Sequence, residues 1–249
     1  MENPQALGFA HFLQNADGVA TAIFAAMVIM SLVTWYLILA KSFVAWRLRR
    51  RSKQFLDMFW NADSLDRVAR HLDEHHPEEP FSHLTYHALV ATRHHQKHRG
   101  ERLDDAGSAS DFLTRSMRRV IDEETASLES GLTFLASVGS TAPFVGLFGT
   151  VWGIYHALTA IGMAGSASLD KVAGPVGEAL IMTGIGLAVA LPAVLGYNFL
   201  VRGNRVLLAR LDSFAHDLFA FLSTGSRLVD GAEVTAIGGH SPRAVNGGH

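Results

Sequence analysis

Gly146-Leu147-Phe148-Gly149-Thr150-Val151-Trp152-Gly153 stands inside a stretch, bounded by Glu129 and Asp170, in which no Asp, Glu, Lys or Arg occurs. In lipid the hydrophobic effect does not pull helices together, so small residues matter because they let two backbones approach and disperse over a long contact. A glycine-threaded, uncharged stretch of this length reads as a membrane-spanning helix that packs closely, placed at 131–157. Outward from it, Gly18 to Ala40 is a run of 23 residues without a charge, and Ala179 to Val201 is uncharged up to Arg202. A helix needs roughly 20 mainly apolar residues to cross the hydrocarbon core, so three spans are expected, at 18–40, 131–157 and 176–201.

The first run is too long, and too poor in small residues at its end, for a cleaved signal peptide; it passes through Trp35, Tyr36 and Leu37 directly into Lys41 and reads as an anchor. The net charge of −2 hides an asymmetry. Of the 21 Lys and Arg, 15 lie between Lys41 and Arg119, with Arg47, Arg49, Arg50 and Arg51 just after the first span. By the positive-inside rule residues 41–130 are cytoplasmic, which puts the N-terminal segment 1–17 and the loop 158–175 outside and 202–249 in the cytoplasm. Only Lys171 then sits on the wrong side. A basic cluster at a membrane edge fixes orientation, so no nucleic-acid partner is expected. The absence of cysteine excludes disulfides, thiolate metal sites and a Cys nucleophile.

The fold class expected is all-α. Residues 1–17 are mildly amphipathic, with Leu7, Phe9, Phe12 and Leu13 among polar neighbours. Lys41 to about Trp60 continues the first span, Asp63 or Ser64 caps a piece that ends before Pro77, and Ser108 with Asp111 resembles a capping box. That last helix is expected to run unbroken into the second span, a rod from about Asp111 to Tyr155 near 65 Å long, so spans two and three are long and extend into the cytoplasm. The turn from Gly162 to Ser168 breaks periodicity, Gly174-Pro175 marks the start of the third span, and the Gly- and Ser-rich tail after Thr224 reads as disordered.

Small residues crowd both later spans. Gly146, Gly149 and Gly153 in one, and Gly184 and Gly186 in the other, are the expected packing positions, and two such helices in succession favour an oligomer. Pro143 and Pro192 interrupt their spans and are expected to bend them. Glu178 is the one carboxylate within the three expected spans. An acid in lipid is functional by default, whereas three residues after Pro175 it also suits a first-turn dipole cap. Thr141 and Thr183 place hydroxyls in the hydrocarbon region, where bonding to the i−4 carbonyl is the plain alternative to a role. Five residues separate Glu178 from Thr183, so their side chains point about 140° apart.

Eight of the 13 histidines fall between His71 and His98, and His71-Leu72-Asp73-Glu74-His75 formally matches the H-x-x-E-H pattern of a class of zinc peptidase. Pro77 ends the helix at once and nothing apolar surrounds it, so a solvated, pH-sensitive surface is the better account and no metal is expected. There is no Gly-x-Ser-x-Gly elbow and no phosphate cradle. Neither an enzyme nor a cofactor is expected.

Gly139-Ser140-Thr141-Ala142-Pro143-Phe144-Val145-Gly146-Leu147-Phe148-Gly149-Thr150-Val151-Trp152-Gly153-Ile154, together with Gly177-Glu178-Ala179-Leu180, Thr183, Ile185-Gly186-Leu187, Pro192-Ala193-Val194 and Tyr197-Asn198, resembles the ExbB/TolQ/MotA family, its ExbB branch in particular. The match is tight over the second and third spans, and topology and length agree across nearly the whole chain. The resemblance implies an inner-membrane homopentamer, a helical barrel enclosing the transmembrane helices of an ExbD dimer, that passes proton-motive energy to TonB for uptake through outer-membrane receptors. It also implies that Thr141 and Thr183 line the pore and that Glu178 is the family's acid at the head of the third span. The TolQ branch, which serves envelope maintenance, shares the signature; MotA-type stators usually carry four spans.

Overall fold

The computed structural model of the protein describes residues 17–75, 77–97, 109–164 and 169–224, and every regular element among them is helical. In chain order these are α1 (Gly18–Trp60), α2 (Leu65–Glu74), α3 (Pro80–Lys97), α4 (Ala109–Glu129), α5 (Leu132–Ala164) and α6 (Leu169–Thr224). Apart from Asp17, the amphipathic segment 1–17 lies outside the described residues, as do Ser108 of the expected capping box, the turn at 165–168 and the tail after Thr224.

Among the described residues three stretches are long and apolar enough to cross a membrane, in α1, α5 and α6. The protein is therefore an all-helical membrane protein. At 1.5 Å per residue the 43 residues of α1 extend about 65 Å and the 56 of α6 about 84 Å, against a hydrocarbon core of roughly 30 Å. Each is one unbroken helix whose apolar part runs directly into a charged part. Asp17 caps α1, its carboxylate accepting the Ala20 N–H at 2.7 Å, and Ser64 caps α2 by accepting the Arg67 N–H at 3.4 Å.

Two boundaries differ from expectation. The rod from Asp111 to Tyr155 is broken: α4 ends at Glu129 and α5 begins at Leu132, with Gly131 between them at φ 77°. That left-handed backbone cannot continue a right-handed helix, and glycine adopts it without steric cost. The last carbonyls of α4 are taken by neighbouring helices instead. Lys41 Nζ donates to Ser127 O at 3.3 Å, and Asn204 Nδ2 donates to Leu128 O at 2.9 Å. The third span's helix starts at Leu169 rather than at Pro175.

Beyond the spans, α1 and α6 join the three shorter helices around a separate core. Phe55 and Phe59 of α1, Val68 and Leu72 of α2, Phe81 and Leu84 of α3, Met117 and Val120 of α4, and Leu211, Phe214 and Leu218 of α6 are all buried. Phe214 is the centre of this packing: Phe59 meets it edge-on at 5.2 Å and Phe81 at 5.5 Å. Burying Leu207, Leu211, Phe214 and Leu218 at spacings of three and four places one stripe of α6 against the head. Membrane and extramembrane parts thus share helices rather than being joined by linkers.

Glu79 ties α3 to α1. It is only 7% exposed, and its carboxylate accepts from Ser52 Oγ at 2.8 Å, Phe81 N at 3.1 Å and Ser82 N at 2.5 Å. Burial holds its carboxyl above the usual glutamate value in spite of those hydrogen bonds. With the folded pKa above the unfolded one, this group's contribution to stability is complete below the unfolded value and is lost as pH rises through the folded one. Glu79→Gln is therefore expected to flatten the pH dependence of the melting temperature in the weakly acidic range. Identical slopes for variant and parent would refute the assignment.

Candidate functional site

The α5–α6 contact is built on backbone against backbone. A Cβ placed on Gly146 would lie 2.6 Å from Met182 O and 3.0 Å from Gly186 Cα; one placed on Gly186 would lie 2.7 Å from Ala142 O. These two glycines mark the crossing point of the spans. Gly149 faces the Met182 side chain and Gly153 faces Ala179, whose Cβ would be 3.1 Å from an added Cβ. Gly184 meets nothing within 4 Å, because it points away from α5. Pro143 lies inside α5 and Pro192 inside α6, and both helices are continuous across them.

One turn from the crossing sits Thr150, whose role no sequence motif announces. Thr150 is buried, and its Oγ1 lies 3.2 Å from Gly146 O, 3.0 Å from Ala179 O and 2.5 Å from Thr183 Oγ1. A hydroxyl has one proton to give and two lone pairs to accept with. If Thr150 donates to a carbonyl, Thr183 donates to Thr150. If Thr150 donates to Thr183, the Thr183 proton is free for another acceptor. The pair therefore presents either a donor or an acceptor at Thr183, at the cost of two hydroxyl rotations.

The structure does not bring Thr141 into this pair. Nine residues before Thr150, it lies about 180° round α5, exposed, with its hydroxyl donating to Ser137 O at 2.7 Å. Glu178 is the residue before Ala179, whose carbonyl Thr150 contacts. It is the tenth residue of α6 and so does not cap a first turn; its side chain lies outside the described ones.

At the Asp17 end of the spans, α1 is pinned to α5. Trp152 Nε1 donates to Asp17 Oδ2 at 2.6 Å, and His156 Nδ1 lies 3.6 Å from the same oxygen. Partial burial works against the Asp17 charge, but the Ala20 N–H, the Trp152 indole and neighbouring His156 hold its carboxyl below the usual aspartate value. Trp152 and His156, one helical turn apart, share a face of α5, and Asp17 lies 135 residues before Trp152.

His71 and His75 stack at 4.7 Å, and His75 Nδ1 lies 3.3 Å from the His71 carbonyl. Among the described residues no group of three or more His, Asp and Glu is placed to hold a metal.

The sequence pattern of the MotA/TolQ/ExbB proton channel family matches residues 77–213. The chain belongs to this family. The matched segment takes in Thr141, Thr150, Glu178, Thr183 and the Gly146–Gly186 crossing, and reaches into the Phe214 core as far as Ser213. A biopolymer transport protein ExbB from Xanthomonas campestris is 43% identical over 238 residues, covering 91% of this chain and 94% of that protein. An ExbB from Neisseria meningitidis is 40% identical, covering 82% and 92%. A Tol-Pal system protein TolQ from Pseudomonas aeruginosa is 31% identical, covering 84% and 90%. Proton-channel energy transduction, rather than covalent catalysis, is the chemistry of a MotA/TolQ/ExbB family member.

Proposed function

We propose that the chain is the multi-span, inner-membrane component of a TonB-ExbB-ExbD complex, coupling the proton-motive force to uptake of nutrients such as iron-siderophores and vitamin B12 across the outer membrane. The observation that carries this reading is the 43% identity to an ExbB over nearly the whole length of both chains. Five copies form a barrel around the transmembrane helices of an ExbD dimer, with the N-terminus periplasmic and the C-terminus cytoplasmic, and the assembly drives TonB.

The mechanism follows from what the spans lack. Moving one charge across 100 mV is worth about 2.3 kcal/mol, and a machine that uses it needs a titratable group partway through the membrane. The uncharged runs Gly18–Ala40 and Ala179–Val201 hold no Asp, Glu, His, Lys or Arg, and the stretch between Glu129 and Asp170 holds only His156, near its outer end. The carboxylate is assigned to the enclosed partner helix. Thr183, backed by Thr150, hydrogen-bonds it along its path, Thr141 adds a hydroxyl from the exposed face of α5, and Glu178 stands at the entrance. The glycine crossing keeps α5 and α6 at a fixed distance while the partner's charge changes.

Co-expression with ExbD-type and TonB-type partners tests this. A single-span partner should co-purify in a fixed ratio, five copies of this chain to two, and siderophore uptake should return in a strain lacking its own ExbB. Restored envelope integrity with a TolR-type partner, without restored uptake, would assign the chain to the TolQ branch instead.

A further inference from the structure

Where the basic-side ends of the three spans meet, a cavity of about 410 Å³ opens among α1, the Pro77–His83 segment, α4, α5 and α6. We propose that it binds the headgroup of an amine-bearing phospholipid, with the phosphate at Lys41 and the ammonium at Glu124.

Depth is the first argument. Lys41 is the first charge after the Gly18–Ala40 run, Leu132 begins α5, and Leu200 stands one residue before the end of the third uncharged run. All three line the cavity, which fixes it at the level of the lipid headgroups rather than in the hydrocarbon or in bulk water. Its lining has the same division as a phospholipid. Val44, Leu48, Leu132 and Leu200 offer apolar surface to the glycerol and upper acyl chain, and Lys41, Glu78 and Glu124 offer charge.

Spare hydrogen-bonding capacity is the second argument. The Lys41 ammonium has three protons and gives one to Ser127 O. Glu124 Oε1 accepts from His83 Nδ1 at 2.8 Å, which leaves Oε2 without a partner among the described residues. Glu78 pairs with Arg51 at the rim and its side chain is 60% exposed. Glu79 also borders the cavity, but its carboxylate is committed to Ser52, Phe81 and Ser82. Among the described residues, one lining cation without an ion pair and one carboxylate oxygen without a partner match a zwitterion. A purely anionic headgroup would meet the glutamates, and a choline headgroup has no N–H to donate to them.

The full-length protein should be reconstituted in nanodiscs of equal phosphatidylethanolamine, phosphatidylcholine and phosphatidylglycerol, and the lipid retained on release measured by native mass spectrometry. Phosphatidylethanolamine should be enriched about tenfold, the effect of one charge-assisted hydrogen bond. Glu124→Gln, which can still accept from His83, should bring that enrichment down to the level of the bulk lipid, and Lys41→Gln should lower retention of all three. Equal retention of the three lipids by the unmodified protein would overturn the proposal whether or not either variant folds. So would enrichment that survives both substitutions, or soluble phosphoethanolamine displacing the lipid at equal concentration, which would make a free metabolite the ligand.

Discussion

Gly146→Val is expected to abolish assembly. The atoms that an added side chain would strike are Met182 O, Gly186 Cα and Thr183 Cα, at 2.6, 3.0 and 3.2 Å from the Cβ alone. All belong to the facing backbone, so no rotamer change relieves the contact and α5 and α6 must separate. Overpacking a soluble core typically costs about 1–3 kcal/mol. Here the cost is compounded, because in lipid no hydrophobic gain offsets a widened helix contact, and the separation also pulls Thr150 away from Ala179 O and Thr183. Oligomer yield after detergent extraction, read by native mass spectrometry, should fall to background. Gly149→Ala should be milder, since its nearest neighbours belong to the flexible Met182 side chain, and Gly184→Ala should be silent within the chain, since nothing lies within 4 Å. A Gly146→Val protein that assembles and transports like the parent would sink the crossing-point assignment.

That graded series also shows what a sequence can and cannot carry. Three uncharged runs announce the spans because bilayer thickness sets a length that composition alone can meet. The glycine-rich signature announces close packing, yet it does not distinguish Gly186, which touches Gly146, from Gly184, two residues away and facing open space; that depends on helix register. Gly131 escaped notice because an isolated glycine inside a helical pattern is usually tolerated, and only its positive φ makes it a break. Thr150 was hidden among the packing residues, since its role comes from a partner 33 residues on and not from its own neighbours. The head core was invisible for a related reason: Phe59, Phe81 and Phe214 sit on three helices, and no local periodicity points from one to another.

Thr150→Val and Thr183→Val should each reduce proton-driven uptake by about a hundredfold or more, the usual effect of losing a positioned group in proton transfer. Valine keeps the shape of threonine, so packing at the crossing is preserved and only the hydroxyl is removed. Interhelical hydrogen bonds in membranes average about 0.6 kcal/mol, which predicts nearly unchanged oligomer stability beside the large loss of uptake. That split separates a role in the proton path from one in holding the helices together. The double variant should be little worse than either single one, because the two hydroxyls act as a unit across a 2.5 Å contact. Thr150→Ser should restore most of the activity, since the oxygen returns to the same place. Thr141, half a turn round α5 and bonded to its own helix at Ser137 O, should cost less when changed to valine. Undiminished uptake in both single variants would remove the hydroxyl pair from the mechanism. Equal losses of uptake and oligomer would reduce the pair to a helix clamp.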